Sequence, residues 1–358
     1  MLTETEIHAT YQILLGRTAD EAGLAHYGQL ESLTLDDLRA SLTASPEYKQ
    51  REIALLADAL FPHLLSKLML ERPWRSTMFV PSPEVYASPA DAPFMPYSTC
   101  SGGDFLHPAF AGILAELGLR NEMHRKLWEW VFVIHHLRKS GRVGPGRRGL
   151  VFGVGKELLP ALFAAAGANI TATDAPLEIG VGSGWQGSNE FSSGLAAMPE
   201  GKLARTDFEH LVEWRECDMN AIDPALTGFD FCWSSCCFEH LGSLRQGMDF
   251  VLNSVENTLA PGGVAVHTTE FNLASNEATV EAGETCIYRR RDIEQLIAEL
   301  RARGHTVEPF RLAPDSLVVD SYVDLPPYSG PHLKLFGDGF VATSVGLVIT
   351  RGGASGVS

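Results

Sequence analysis

No apolar run in this sequence approaches the ~20 residues that cross a bilayer. The opening residues, Met1 to Gln12, have neither a basic flank nor an apolar core. Neither a membrane span nor a secretory leader is expected, and a cytoplasmic location is the default. Positive charge is also scarce: 28 Lys and Arg stand against 44 Asp and Glu, a formal net charge of −16. That deficit argues against a broad phosphate-binding face, so nucleic acid is not an expected partner. The run Arg289-Arg290-Arg291 opens an expected helix and reads as a solvated face. Cysteine is limited to Cys100, Cys217, Cys232, Cys236, Cys237 and Cys286, and no C-x-x-C pair repeats, which excludes a zinc knuckle. Cys232, Cys236 and Cys237 sit in or beside an apolar strand and read as small buried hydrophobes in a reducing compartment.

What the chain does have is a nucleotide-binding pattern between Gly149 and Pro176. Leu150-Val151-Phe152 suits a buried parallel strand. Gly153 and Gly155 allow a tight turn and close approach of a ligand to the backbone. Leu158, Leu159, Leu162 and Phe163 recur at helical spacing, and Asn169 to Thr173 is the next strand, ended by Asp174. A carboxylate at that place can accept from both ribose hydroxyls of an adenosine. A dinucleotide site wants a third glycine, G-x-G-x-x-G, and Leu158 stands there instead.

Around this unit the chain reads as three regions: 1–55, helical; 56–140, a proline-rich connector and helical cap; and 141–358, alternating strands and helices. In the first, Ile7, Tyr11, Leu14 and Leu15 share a helix face, and Leu35, Leu38 and Leu42 line another. Its YQILLGRTADEAGLAHYGQL followed by LRASLTASPEY resembles a small bacterial helical domain of unknown function, of the Leu-Leu-Gly-Arg type. The resemblance implies docking or oligomerisation, including a homo-oligomer, and brings no chemistry. Beyond Asp174 come a glycine-rich insertion to about 200, a strand Leu211 to Cys217, a strand Phe229 to Ser234, and a helix Leu244 to Leu259. There follow a strand Val264 to Thr268, a helix Asp292 to Arg303, and strands Thr306 to Leu312 and Phe340 to Thr350.

Five features fall in a telling order: the glycine turn, Asp174, Asp218-Met219, Phe229-Asp230, and Leu259-Ala260-Pro261-Gly262-Gly263. With the late strand pair, residues 149–351 resemble a class I S-adenosylmethionine-dependent methyltransferase. The resemblance implies a Rossmann-like seven-stranded α/β sheet with helices on both faces, preceded here by the all-α region. It implies that Gly153 and Gly155 let the cofactor, S-adenosylmethionine, lie against the backbone. It assigns Asp174 to the ribose, Asp218 to the adenine amino group, Met219 to the adenine ring, and Ser234 and Ser235 to the methionine and sulfonium region. The family's acidic residue two before the first glycine is Val151 here, and Glu157 stands where a third glycine often falls, so either Glu157 or the backbone alone serves the methionine amino group.

A hydroxyl acceptor must lose its proton, a task suited to histidine. The candidate bases are His267, His240 and Glu270, at the carboxyl edge where substrates bind such sheets. Glu239, His332 and Trp185 are candidate substrate contacts, and Tyr328, Trp128 and Trp130 are further ring surfaces, with core packing the better reading of the last two. No metal is expected: a set of His267, Glu270 and His240 or His332 does not suit magnesium, which prefers carboxylates and waters. The segments FDFCWSSCCFEHLGSL and PGGVAVHTTEFNL and the tail DLPPYSGPHLKL resemble a bacterial methyltransferase group that travels with polysaccharide assembly. The expectation is therefore an O-methyltransferase acting on a sugar, glycan or small molecule. The alternatives are an N-methyltransferase on an amino sugar or other small molecule, or a non-catalytic scaffold in polysaccharide assembly and biosynthesis.

Overall fold

A computed structural model of the chain describes residues 2–30, 32–52, 80–176 and 191–353. Its contacts divide it into two units, Met1–Met78 and Phe79–Ser358. The described part of the connector and cap expected over 56–140, residues 80–140, falls in the second unit.

The first unit contains α1 (Glu4–Leu15), α2 (Glu21–Gly28) and α3 (Leu35–Ala44), and a further helix begins at 46. Thr3 and Thr34 each begin their helix with a reciprocal capping box, to Glu6 and Asp37, which satisfies otherwise orphaned N–H groups. Ile7, Tyr11, Leu15, Ala19, Leu38 and Leu42 form its core. Arg17 and Glu47 pair at 2.6 Å and tie the first turn to the last described helix.

The second unit is built on one sheet. Its strands are β1 (Arg148–Phe152), β2 (Asn169–Asp174), β3 (Val212–Glu216), β4 (Phe229–Ser235), β5 (Leu259–Asn272), β6 (Thr306–Val307), β7 (Lys334–Gly337) and β8 (Phe340–Thr350). The order is β3-β2-β1-β4-β5-β8-β6, with β7 added to β8. Strands β1 to β5 pair in parallel, and β8 enters antiparallel between β5 and β6. This is the Rossmann-like α/β sheet expected, with one extra strand, β7, folded back as a hairpin on β8. The carboxyl ends of β1, β2 and β4 thereby share one edge, where α/β sheets bind ligands.

Helices cover both faces. On one lie α4 (Pro108–Leu117), α5 (Arg125–Lys139), α6 (Leu159–Ala165) and α7 (Arg205–Leu211); α5 packs on β4, β5 and β8. On the other, α8 (Leu244–Asn253) and α9 (Arg290–Ala302) bury Leu244, Met248, Val251, Ile293, Leu296 and Leu300 in the main core. Gly346 of β8 faces Phe132 of α5 so closely that a Cβ there would overlap the ring. The helix rests on the sheet at that point because the strand has no side chain.

Some sequence boundaries move. The helix from Leu244 ends at Asn253 and continues as a π-helical turn, Ser254–Thr258. Pro261-Gly262-Gly263 does not end the turn before β5 but lies within the strand, where the register with β4 shifts. The strand expected over 306–312 is only Thr306–Val307. Arg290 and Arg291 are exposed as expected, but Arg289 is buried, its guanidinium on Asp292 at 2.8 Å and Glu281 at 2.7 Å. All six cysteines are buried and free.

Candidate active site

The glycine turn follows β1 directly. Gly153 and Gly155 have φ of +62° and +49°, the left-handed region that disfavours a side chain. A Cβ on Gly153 would stand 2.7 Å from the Cys237 Sγ and 3.9 Å from the Met219 Sδ, so the turn packs against the Cys237 side chain and has no room for one. Asp174, ending β2, is buried and faces the turn. Its Oδ2 accepts from the N–H groups of Gly155 at 3.1 Å and Ser192 at 3.0 Å, and its Oδ1 from that of Ala175 at 2.9 Å. Burial raises the Asp174 pKa, and these three donors oppose the rise. Asp218 is half-buried after β3, its Oδ1 accepting the Asn220 N–H at 2.8 Å, and Met219 is buried beside it.

Strand alternation sorts the residues at the end of β4. Trp233 and Ser235 point to one face, Ser234 to the other. Trp233 donates its Nε1–H to Glu157 at 2.6 Å. Burial pushes the Glu157 carboxyl up to about 8, so at neutral pH it is mostly protonated. The carboxyl expected as an open anion for an amino group is thus turned on to an indole. The buried Ser235 hydroxyl lies beside the same carboxyl and, like Trp233, acts to lower its pKa against the effect of burial.

Ser234 and His267 do not line this edge. His267 is fully buried, its Nδ1 2.8 Å from the Ser234 Oγ and its Nε2 3.0 Å from the Ser254 Oγ. Burial lowers its pKa to about 3. With both ring nitrogens engaged and no exposure it reaches no substrate, and the expectation of a base there is corrected. Ser234, its partner, is corrected with it. Glu270, three residues further along β5, lies on the opposite face.

That opposite face carries a charged cluster. Arg125, at the start of α5, is buried; its Nη2 donates to the Glu270 Oε1 at 2.5 Å, and its Nη1 lies 3.3 Å from the Glu129 Oε1 and 3.5 Å from the Cys236 Sγ. Glu129, fully buried, also accepts from the hydroxyls of Thr268 at 3.0 Å and Ser344 at 2.5 Å. Burial acts to raise the Glu270 pKa, but Arg125 and Lys126 outweigh it and hold the carboxyl below its usual value. Cys236 has φ +55°, uncommon for a side-chain-bearing residue, and is pinned by its N–H on the Thr268 carbonyl at 3.0 Å. Glu239 is fully buried; its Oε2 accepts from the Thr269 hydroxyl at 2.9 Å. Burial raises its pKa. The adjacent His240 is half-buried, with Nδ1 on the Glu284 carbonyl at 2.8 Å and Nε2 3.9 Å from the Glu239 Oε1.

His332 stands on the loop before β7. Its Nδ1 is 2.6 Å from the Oδ2 of buried Asp324, and His124 stacks on its ring at 4.7 Å. Burial acts to raise the Asp324 pKa, but His332 and the N–H groups of Ser329 and Gly330 outweigh it. The two histidines and Tyr328 are among the residues lining a cavity of about 640 Å³. Trp185 lies outside the described residues. Trp128 is core, as its spacing suggested, and donates to Asp104 at 2.8 Å.

The structure therefore groups Gly153, Gly155, Asp174, Met219 and Ser235 around one turn, and Glu239, His240 and Glu270 around another. Cys236 was read from the sequence as a small buried hydrophobe, and Arg125, Glu129, Ser344 and Asp324 were not singled out. Arg125 and Glu129 read there only as polar positions of a helix in the cap, and nothing local marks their contact with residues more than a hundred positions away.

No protein-family model matches the chain, and no curated protein matches it. Solved structures similar to it include the methyltransferase domain of bacterial CtHen1, at 12% identity over 63% of this chain and 100% of that one, TM-score 0.38. The magnesium protoporphyrin IX methyltransferase of Synechocystis PCC 6803 is 12% identical over 63% and 82%, TM-score 0.37. An S-adenosylmethionine-dependent methyltransferase from Mesorhizobium loti is 13% identical over 60% and 95%, TM-score 0.36. These likenesses are weak and carry no function across to this chain.

Proposed function

We propose that this chain is a methyltransferase that uses S-adenosylmethionine to methylate a hydroxyl of a sugar, glycan or related small molecule. The observation that carries the reading is the meeting of the Gly153-Gly155 turn with the Asp174 carboxylate at the edge of a 3-2-1-4 parallel sheet. The residues fit the cofactor: Gly153 and Gly155 bring bare backbone to the carboxyl end of β1, with the Asp174 carboxylate beside them. Asp174 would take the ribose, Asp218 and Met219 the adenine, and Ser235 the methionine end. When bound, S-adenosylmethionine supplies a methyl group made electrophilic by a sulfonium.

The chain's own residues then have two tasks. One is alignment, which supplies much of the acceleration in a displacement. The other is removal of the acceptor proton. With Nδ1–H committed to the Glu284 carbonyl, His240 presents Nε2 as its basic nitrogen, and Glu239 lies close enough to favour the imidazolium that forms. Glu270, held as an anion by Arg125, is the weaker base. The cavity beside His124, Tyr328 and His332 supports a ring-shaped polar acceptor, for which an aromatic face and hydrogen-bonding edges are suited.

Titration calorimetry with S-adenosylmethionine tests the first part, and transfer of a labelled methyl group to sugar nucleotides the second. No heat and no thermal shift would leave a non-catalytic scaffold as the better reading. Binding with transfer to an amine instead would make it an N-methyltransferase.

A further inference from the structure

We propose that Cys236, Glu239 and Glu270 form a binding site for a divalent transition-metal ion of the zinc class. Among the described residues, one ligand atom from each lies within 4.8 Å of the other two. In a tetrahedral zinc site with one sulfur and two oxygen donors, ligand atoms stand about 3.6 Å apart, so the set closes on an ion by side-chain movement of up to about an ångström.

Two observations point to a ligand. Among the described residues the buried Glu239 Oε1 has no hydrogen-bond partner, with the His240 Nε2 3.9 Å away, whereas its Oε2 is held by Thr269. Glu270 is likewise fixed through one oxygen, its Oε1 on Arg125. One oxygen fixed by the protein and one turned inward is how metal-binding carboxylates are oriented. Secondly, Cys236 is forced into a left-handed backbone conformation and pinned through its N–H to Thr268, which places its sulfur among charged groups rather than in the apolar core.

The donor set selects the metal. Thiolate with two carboxylates suits zinc, or cobalt in its place, and not magnesium or calcium, which take oxygen ligands. Three protein ligands leave a coordination position open, as in sites that bind a water or a substrate oxygen.

The test needs no methyl-transfer assay and stands apart from the cofactor reading. The full chain is stripped with chelator, reloaded with zinc, dialysed and analysed for metal. About one equivalent per chain is expected. Cobalt in place of zinc should give a near-ultraviolet thiolate-to-metal charge-transfer band. Cys236→Ser should abolish that band, Cys286→Ser should keep it, and Glu239→Gln should weaken metal affinity by roughly tenfold to a hundredfold. Circular dichroism confirms that each variant is folded, and the wild-type measurement decides the matter should one fail to fold. No retained metal and no band in the wild type, or a band that survives Cys236→Ser, would overturn the proposal.

Discussion

The indole Nε1 of Trp233 and the Glu157 Oε1 stand 2.6 Å apart in a pocket that excludes water, and the carboxyl is held in its protonated form up to about pH 8. The unfolded chain releases that proton near the usual 4.5. Between those values the folded chain keeps a proton that the unfolded chain has lost. The stability Glu157 contributes is therefore full below 4.5 and is lost as pH rises toward about 8, with a slope of at most about 1.4 kcal/mol per pH unit. Glu157→Gln should flatten this dependence, leaving the variant the more stable protein relative to wild type at the alkaline end. Urea midpoints measured across the window check it; parallel curves for the two proteins would rule the idea out.

His267 and His240 should separate cleanly. His267→Ala removes two buried hydrogen bonds, to Ser234 and Ser254, and leaves a cavity, and should cost about 2–4 kcal/mol of stability. His240→Ala, at a half-buried position, should leave the melting temperature within a few degrees while lowering turnover by roughly a hundredfold to ten-thousandfold. Thermal melts paired with initial rates decide it. Full turnover in a folded His240→Ala would move the base elsewhere, with His332 and its Asp324 next in line.

Asp174→Ala should weaken S-adenosylmethionine binding by roughly tenfold to a hundredfold, the range for losing a charged hydrogen-bond acceptor. Because the same carboxylate serves Gly155, Ala175 and Ser192, some loss of stability should accompany it. Calorimetry on the folded variant separates the two effects, and unchanged affinity would remove Asp174 from the ribose role.

Gly153→Ala places a methyl group 2.7 Å from the Cys237 sulfur at a φ of +62°. The strain should cost about 1–3 kcal/mol, and the displaced turn should depress cofactor affinity. Cys237→Ala in the same chain should recover part of the stability but little of the affinity. Recovery of both together would mean that the turn is not a binding surface.

The sheet was legible because its strands carry their own signals: Leu150-Val151-Phe152 and Phe229 to Ser235 are apolar runs between turn residues, and Asp174 ends β2 where the pattern places it. The turn glycines were legible for the same reason. The two faces of β5 were not. His267 and Glu270 read as one constellation in sequence, yet three steps along a strand put them on opposite sides, and only the position of α8 and the π-helical turn after it shows which side is core. Arg289 misled in the opposite direction: a run of three arginines looks solvated, and the burial of its first member depends on Asp292 one helical turn away and on Glu281 in a loop.

Gly346 carries a consequence for the charged cluster. Phe132 settles on that glycine two turns after Arg125 on the same helix. The helix is stiff over that distance, so the height at which Arg125 reaches Glu270 and Cys236 is set by a clearance on the underside of the sheet. An alanine at 346 would act as a shim. It would lift the guanidinium away from its partners while touching none of them, and the damage would register as a defect of the site in a protein whose site residues are all intact.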